Sequence, residues 1–549
     1  MKRPYLWIVL VVLAVYGQVL FFKFTYLDDY TLIVQNSNLF IHPKNLLGVF
    51  TTDSIAAVTG GQYYRPIFAA SFILNAVIAG KSPFLFHLTD LLLHLGVCLL
   101  LFRFLLNLTG LEHSALFGSL VFAVHPLLVQ TVAWIPARTD SLAVLFILWY
   151  LISFDEALKT PAVKKNYFYS ALAMALALAS KETALMLPLI SLLYAWLVSE
   201  STNKFKTLLR FVPIWAALIA AWFFGRSFAL TQAPGISLQA VFTSVYLSLA
   251  AVIQYLGKIF LPFDLSTYPV MADLRLTYGL LALLIIAFGI LASKHKRYKV
   301  VLFGAAWFFV FLLLSLVRLN TLAYSEVLEH RAYLPFIGIL ILILEFDWFK
   351  KDWSKSLSRF AAVCAVLVVL AVINIAHASS FSSGLKYWQQ AVKTSPSSPF
   401  AHRQLGAMRD IAGDAQGAEN EYKKVIAINP EKTLVYNNLG LLYAKSGRNK
   451  EAEIFYRWEI ATNPDFDKAY MNLGNLYWQE NHQDEASEYW QKTIELNPYF
   501  FQAYRNLAIY YYEKEQFDKG VQVLLEIISR GRQIDSDLLD SYKPYLPKR

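Results

Sequence analysis

Through the first two-thirds of the chain, apolar residues run in blocks too long for the core of a soluble domain, with polar residues confined to short intervals between them. A helix needs a run of roughly 17–25 apolar residues to cross a bilayer. Such runs fall near residues 5–22, 84–106, 114–132, 139–154, 167–181, 183–198, 209–225, 276–293, 299–317, 332–346 and 359–378, which predicts about 11 spans. Residues 240–261 are also apolar but include Ser244, Ser248, Gln254 and Lys258, and are expected to lie at the outer interface rather than to cross. Past residue 385 the pattern changes, and Glu, Lys, Asn and Tyr replace the apolar blocks. The expected division is a membrane domain over 1–378, a second domain over 385–532 and a C-terminal tail over 533–549.

Within the second domain the same residues return at a fixed interval. Pro396, Pro430, Pro464 and Pro498 are spaced by 34. Tyr436, Leu439, Gly440, Tyr443 and Ala452 recur as Tyr470, Leu473, Gly474, Tyr477 and Ala486, and then in part as Tyr504, Leu507, Ala508 and Tyr511, with Gly520 in place of the small Ala. An earlier copy holds His402, Leu405, Gly406 and Ala418. A 34-residue period is that of tetratricopeptide repeats, in which paired helices stack into a solenoid. Four copies are present, and Trp388, Ala391 and Pro396 read as the second helix of a preceding half repeat. The expected fold is therefore all-α, a polytopic membrane domain followed by a tetratricopeptide-repeat solenoid. Asn438, Asn472 and Asn506 share the 34-residue spacing and would form a ladder of amides suited to binding the backbone of an acceptor peptide. The other reading is that they brace local turns.

Composition agrees with a bilayer as the solvent: 57% of residues are hydrophobic and 16% charged, against roughly 25% charged in soluble domains. The net charge of +10 would suit nucleic acid, but topology explains it without such a partner. The bases gather at Lys2/Arg3, Lys159/Lys164/Lys165, Lys204/Lys206/Arg210, Lys294–Lys299 and Lys350–Arg359, all on one side of the predicted path. Cytoplasmic loops carry such an excess. The N-terminus is then cytoplasmic and the repeats extracytoplasmic. The N-terminal apolar run lacks a small-x-small cleavage site and reads as an uncleaved first span. The two cysteines, Cys98 and Cys364, lie inside apolar runs and argue against a disulfide framework.

Ionisable groups at the ends of spans are costly and mark function. Asp28-Asp29, Tyr63-Tyr64-Arg65, Arg138/Asp140, Lys181-Glu182 and Glu329-His330-Arg331 all fall on the predicted outer side. Paired acids facing several bases suit an anionic substrate. Asp28 can take a proton from an attacking hydroxyl, and Arg65, Arg138, Lys181, His330 and Arg331 can stabilise a phosphate leaving group. The alternative is that Arg138–Asp140 and Lys181–Glu182 are ion pairs that lock spans together. His87, Asp90 and His94 share one helical face, through interhelical hydrogen bonds or through a metal, and His125-Pro126 lines the cavity or marks a kink. No nucleotide-loop, metalloprotease or Cys-x-x-Cys motif occurs.

The order Leu27-Asp28-Asp29, Tyr64-Arg65-Pro66, Phe86-His87 through His94, His125-Pro126, Ser180-Lys181-Glu182 and His330-Arg331-Ala332-Tyr333-Leu334-Pro335 resembles the transmembrane and tetratricopeptide-repeat O-mannosyltransferases and their bacterial relatives, which have the GT-C fold. The resemblance implies an inverting glycosyltransferase using a polyprenyl-phosphate-linked sugar and a hydroxyl acceptor, commonly Ser or Thr of a protein. It implies Asp28 as base. Asp29 would orient the acceptor or, as the less favoured reading, help hold a divalent metal; no other cofactor is called for. Arg65, Arg138, Lys181, Glu182, His330 and Arg331 would form the donor lipid-phosphate site. The chain departs from the pattern in its short array and in Asp90, where relatives often carry Asn, so mannose is not implied. Few cysteines and a compact size point to a bacterial inner membrane. Two other functions fit parts of the sequence: a ligase or polymerase of lipid-linked glycans, and a non-catalytic repeat scaffold for envelope assembly.

Overall fold

The computed structural model describes residues 3–35, 42–51, 63–230, 238–316, 326–429 and 434–546; Lys2 and Pro430 lie outside them. Each of the predicted apolar runs is helical over most of its length. Among the described residues, six helices are long and apolar enough to cross a membrane: Pro4–Phe21, Pro83–Thr109, Ile135–Lys159, Lys204–Ala229, Tyr298–Leu316 and Leu357–Phe381. A seventh is added if the bent pair Glu112–Val124 and Pro126–Ala133 counts as one span. The expected count of 11 is therefore not reached by length and composition. The remaining runs form the shorter helices Lys164–Ser180, Glu182–Leu197, Thr277–Ala292 and Tyr333–Ile343. Hydropathy records composition and not direction. Lys181, for instance, is extended and separates two helices that read as nearly continuous apolar sequence. Residues 240–261 belong to the helix Leu238–Phe260, and Pro66–Ala79 is a helix that the apolar pattern did not mark.

Contacts divide the chain into two compact units, Met1–Pro396 and Ser397–Arg549. In the first, large apolar side chains cover the outside. Along Thr277–Ala292, Leu284, Phe288 and Leu291 are exposed, and along Leu357–Ala378 so are Val366, Val368, Val369 and Val372. So much contiguous apolar surface is stable against lipid and not against water.

Inside this unit several buried polar groups are paired across segments, whereas both ring nitrogens of His87 have no hydrogen-bond partner among the described residues. His125-Pro126 breaks a helix by 53°, because proline supplies no N–H and its ring crowds the preceding turn. The break frees carbonyls, and Asn374 from the last long helix reaches them: its Nδ2 donates to the Val124 carbonyl at 3.1 Å, to His125 at 3.4 Å and to the Tyr16 hydroxyl at 2.8 Å. His125 Nε2 lies 2.9 Å from the Ile259 carbonyl. Three distant segments are thereby tied at one kink.

Arg138 is the second brace. Its side chain is wholly buried against an equally buried Asp90. Nη1 donates to Asn75 Oδ1 at 2.7 Å, Nη2 to the Phe86 carbonyl at 2.8 Å, and the guanidinium lies over the Phe72 ring. With its donors committed to protein acceptors, Arg138 joins helices and is not presented to a phosphate.

The second unit contains four helix pairs between Pro399 and Ser529. The recurring small residues allow close approach: a Cβ on Gly440 would stand 2.6 Å from the Tyr456 ring, and one on Gly474 2.8 Å from the Trp490 ring. Buried Tyr422, Leu439, Tyr456 and Leu473 form one core, and Trp490, Tyr504, Leu507 and Leu524 another. Within the segment expected as a tail, the helix Ser536–Tyr542 buries Tyr542, whose hydroxyl donates to the Ala508 carbonyl at 2.7 Å and closes the end of the stack.

Two stability outcomes follow. Asn374→Leu leaves the kink carbonyls unpaired and should cost about 1–2 kcal/mol, read as earlier thermal unfolding in detergent. Arg138→Met strands the Asp90 carboxylate and should cost about 3–5 kcal/mol, whereas the double variant Arg138→Met/Asp90→Leu should recover most of the loss. Equal losses in the single and double variants would show that the pair is not a brace.

Candidate functional site

The loop after the first long helix is organised by Asp29. The chain turns back through Tyr26, whose φ of 61° lies in the left-handed region. The turn brings Asp29 Oδ2 to 2.6 Å from the Thr25 amide and 3.0 Å from its hydroxyl, while Oδ1 accepts from the Tyr30 amide at 2.8 Å. Asp29 is buried, and burial raises its pKa against the pull of these bonds. Its neighbour is left in the opposite state. Asp28 is half-buried and accepts no hydrogen bond from any described residue. Burial, with the Asp29 and Glu326 carboxylates nearby, pushes its pKa up to about 6. Of the two expected catalytic acids, one shapes the loop and the other carries an uncommitted carboxylate.

Glu326, absent from the sequence reading, joins this loop electrostatically. It bridges Val270 in an isolated antiparallel pairing, with the Val327 amide donating to the Pro269 carbonyl at 2.8 Å. Its Oε1 accepts from the Tyr268 hydroxyl at 3.0 Å, and its carbonyl accepts from Arg331 Nη1 at 3.2 Å. Arg331 is half-buried and makes no ion pair among the described residues. Next to it, the His330 amide donates to Gln130 Oε1 at 3.0 Å and the ring packs on Trp134. Gln130 in turn donates to the Thr267 carbonyl at 3.1 Å.

The stretch 265–270 also seats the helix Gly384–Thr394. Thr267 and Tyr387 exchange hydrogen bonds at 2.7 and 2.8 Å, Gln390 donates to the Leu265 carbonyl at 3.0 Å, and the Ser266 and Thr394 hydroxyls meet at 2.6 Å. Tyr387 feels the charges of Asp28, Asp29 and Glu326. Beneath lies a buried knot that the sequence reading also missed. Glu329 accepts from Lys258 Nζ and the Ser266 amide at 2.7 Å each, with His377 Nε2 at 3.2 Å.

The other expected phosphate ligands form a separate group. Arg65 holds Glu182 through two bonds, at 2.6 and 3.0 Å, and lies over the Tyr63 ring. Lys181 pairs with Asp140 at 2.7 Å. Ion pairs are thus present, with partners other than sequence neighbours: Asp140 takes Lys181 rather than Arg138, and Glu182 takes Arg65 rather than Lys181. On the face of Pro83–Thr109, Asp90 pairs with Arg138, and His94 Nδ1 lies 2.7 Å from the Tyr333 hydroxyl.

In the repeats the asparagines bond across the stack. Asn472 Nδ2 donates to Asn437 Oδ1 at 2.8 Å and Asn506 Nδ2 to Asn475 Oδ1 at 2.9 Å, while Asn438 lies near the Tyr422 hydroxyl. Each amide retains some donor or acceptor capacity for a ligand.

The tetratricopeptide-repeat family models match residues 467–500 and 434–457. Human protein O-mannosyl-transferase TMTC1 is 32% identical over 158 residues, which is 28% of this chain and 18% of that protein. Mouse protein O-mannosyl-transferase TMTC2 is 38% identical over 97 residues, 18% of this chain and 12% of that protein. The chain spans less than a fifth of the length of these relatives. Among solved structures, MamA from Desulfovibrio magneticus RS-1 is 22% identical, covering 28% of this chain and 86% of that chain with a TM-score of 0.25. The family-model matches identify tetratricopeptide repeats in the second unit, and over less than a third of its length the chain is similar to protein O-mannosyl-transferases.

Proposed function

We propose that the chain is a membrane glycosyltransferase that moves a sugar from a polyprenyl-phosphate donor to a hydroxyl of a protein acceptor, Ser or Thr, on the extracytoplasmic face. The uncommitted Asp28 carboxylate, with its pKa near 6, carries the reading. An acid tuned to that range is largely ionised at neutral pH and still basic enough to assist a hydroxyl. The similarity to protein O-mannosyl-transferases supports a protein acceptor.

In this reaction the acceptor oxygen attacks the anomeric carbon on the face opposite the phosphate. The bond from that carbon to the phosphate oxygen breaks, and its electron pair leaves with the polyprenyl phosphate. The hydroxyl proton passes to Asp28, and the sugar inverts. Arg331 and His330 meet the departing phosphate. Arg65 and Lys181, their charges shared with Glu182 and Asp140, add weaker positive charge to the donor site. Asp29 keeps Asp28 aimed by fixing the turn, and Arg138 holds the helices behind it. The repeats bind the acceptor polypeptide. The protein sits in a bacterial inner membrane with its N-terminus in the cytoplasm.

Asp28→Asn should lower sugar transfer to a serine-containing peptide by about 10²–10⁴-fold while folded protein persists in the membrane. Near-parental turnover of that variant would remove Asp28 from the mechanism. In the parent, the transfer rate should rise with pH through about 6 and then level off, as the base loses its proton. The same shift has an opposite signature in stability. A carboxyl whose pKa is raised by folding favours the folded state when protonated, and that contribution disappears as pH rises through about 6. Asp28→Asn should therefore unfold at a higher temperature than the parent at pH 7.5, and at nearly the same temperature at pH 4.

A further inference from the structure

The repeat unit contains a cavity of about 270 Å³ between the helices Asp467–Gln479 and Phe501–Glu513, with Trp490 at its wall. The polar groups in it have fixed orientations. Asn475 Oδ1 accepts from Trp490 Nε1 at 3.1 Å and from Asn506 Nδ2 at 2.9 Å. Two donors converging on one atom identify it as oxygen, so Asn475 offers only N–H groups to the cavity. These have no acceptor among the described residues. Arg505 donates through Nε to Asp535 at 2.8 Å, which orients the guanidinium and leaves its outer nitrogens uncommitted. Gln479 is exposed at the edge, and the half-buried Trp478 ring packs beside Trp490 at 5.3 Å between centroids. The cavity combines a donor-rich wall, a guanidinium whose charge is shared with Asp535 and an aromatic surface.

These residues are not what the repeat needs in order to fold. Where the scaffold is concerned the copies agree, as with Leu439, Leu473 and Leu507. At the cavity they disagree. Thirty-four residues before and after Asn475 stand Leu441 and Ile509; Trp478 corresponds to Ala444 and Tyr512; Arg505 corresponds to Met471 and Asn437, with an arginine, Arg403, returning only in the first copy. Of the four copies, this junction is where an asparagine, an indole and an arginine come together at these positions.

We infer that this junction binds a carboxylate of an extended polypeptide, held by Arg505 and the Asn475 amide, with an adjacent apolar side chain lying on Trp478. Charge-assisted bonds of this geometry give a carboxylate preference over an amide, and stacking on indole adds apolar selectivity. The inference rests on the reading of the repeats as acceptor-binding, and it narrows the acceptor to segments in which an acidic group precedes an apolar one. An internal Asp or Glu and a chain terminus both supply a carboxylate.

The test is fluorescence anisotropy of dye-labelled twelve-residue peptides against the full chain in detergent, with no sugar donor present, so that loss of transfer chemistry leaves the readout untouched. A Ser/Ala peptide containing Asp-Leu, amidated at its end, is compared with the same peptide containing Asn-Leu, with one containing Asp-Ala, and with an Asn-Leu peptide ending in a free carboxylate. A carboxylate-dependent preference of about fivefold or more is expected, since one charge-assisted bond approaches a tenfold effect. Dependence on the internal Asp assigns a side chain, and dependence on the free end assigns a terminus; either supports the site. Arg505→Met, the residue found one repeat earlier, should erase the preference without loss of the fold, because that side chain is about half exposed. Trp478→Ala should erase the Leu-over-Ala preference alone. A parental preference below about fivefold, or one that survives Arg505→Met, would overturn the assignment even where transfer to protein acceptors is intact.

Discussion

A charge taken out of water has to take its counter-charge with it, since an isolated buried ion costs far more than a fold can supply. The membrane unit is built around that requirement. Arg138 has Asp90, Lys258 has Glu329, and Arg65 and Lys181 have Glu182 and Asp140. In each case the partner comes from another segment, so each neutralised charge is also a bond between helices. Apolar packing alone discriminates poorly between neighbours when lipid is as apolar as the side chains. The ion pairs and the Asn374 amide supply the register that dispersion forces do not.

Asp28 and Arg331 gain meaning against this background. Both are half-buried, and neither has a counter-ion among the described residues. An uncommitted acid beside acids is the expensive arrangement, and its raised pKa records the cost. Proteins retain such arrangements where chemistry needs them. The repeat unit follows the same logic in milder form. Its asparagine amides bond from one helix pair to the next, so stacking already draws on the side chains to which the proposed function assigns recognition.

The sequence made the periodic features readable and the non-periodic ones not. A 34-residue spacing of Leu, Gly and Tyr has few causes, and the helices between Pro399 and Ser529 follow it. Apolar runs marked most of the membrane helices. They separated two runs at Lys181-Glu182 and offered a kink at His125-Pro126, but they did not give the change of direction at either place, because a break leaves composition unchanged. Partnerships were hidden for a different reason. Lys258 and Glu329 are 71 positions apart, and Gln130 and His330 are 200 apart, with nothing local in either member to announce the other. Glu326 went unnoticed because its place beside the Asp28 loop is set by its pairing with Val270. Asp28 and Asp29 were found together by their charge, but only the turn separates their roles.

That separation gives two adjacent and chemically identical residues different kinds of vulnerability. Asp29 is held by three hydrogen bonds within its own loop, so a change there removes the scaffold and the function together. Asp28 is held by none among the described residues, so under the proposed mechanism a change there relieves the fold while silencing the chemistry. An assay of activity would score the two losses alike. An assay of protein abundance would separate them, and a screen for stabilising substitutions would select, at Asp28, the variants that the proposed mechanism leaves inactive.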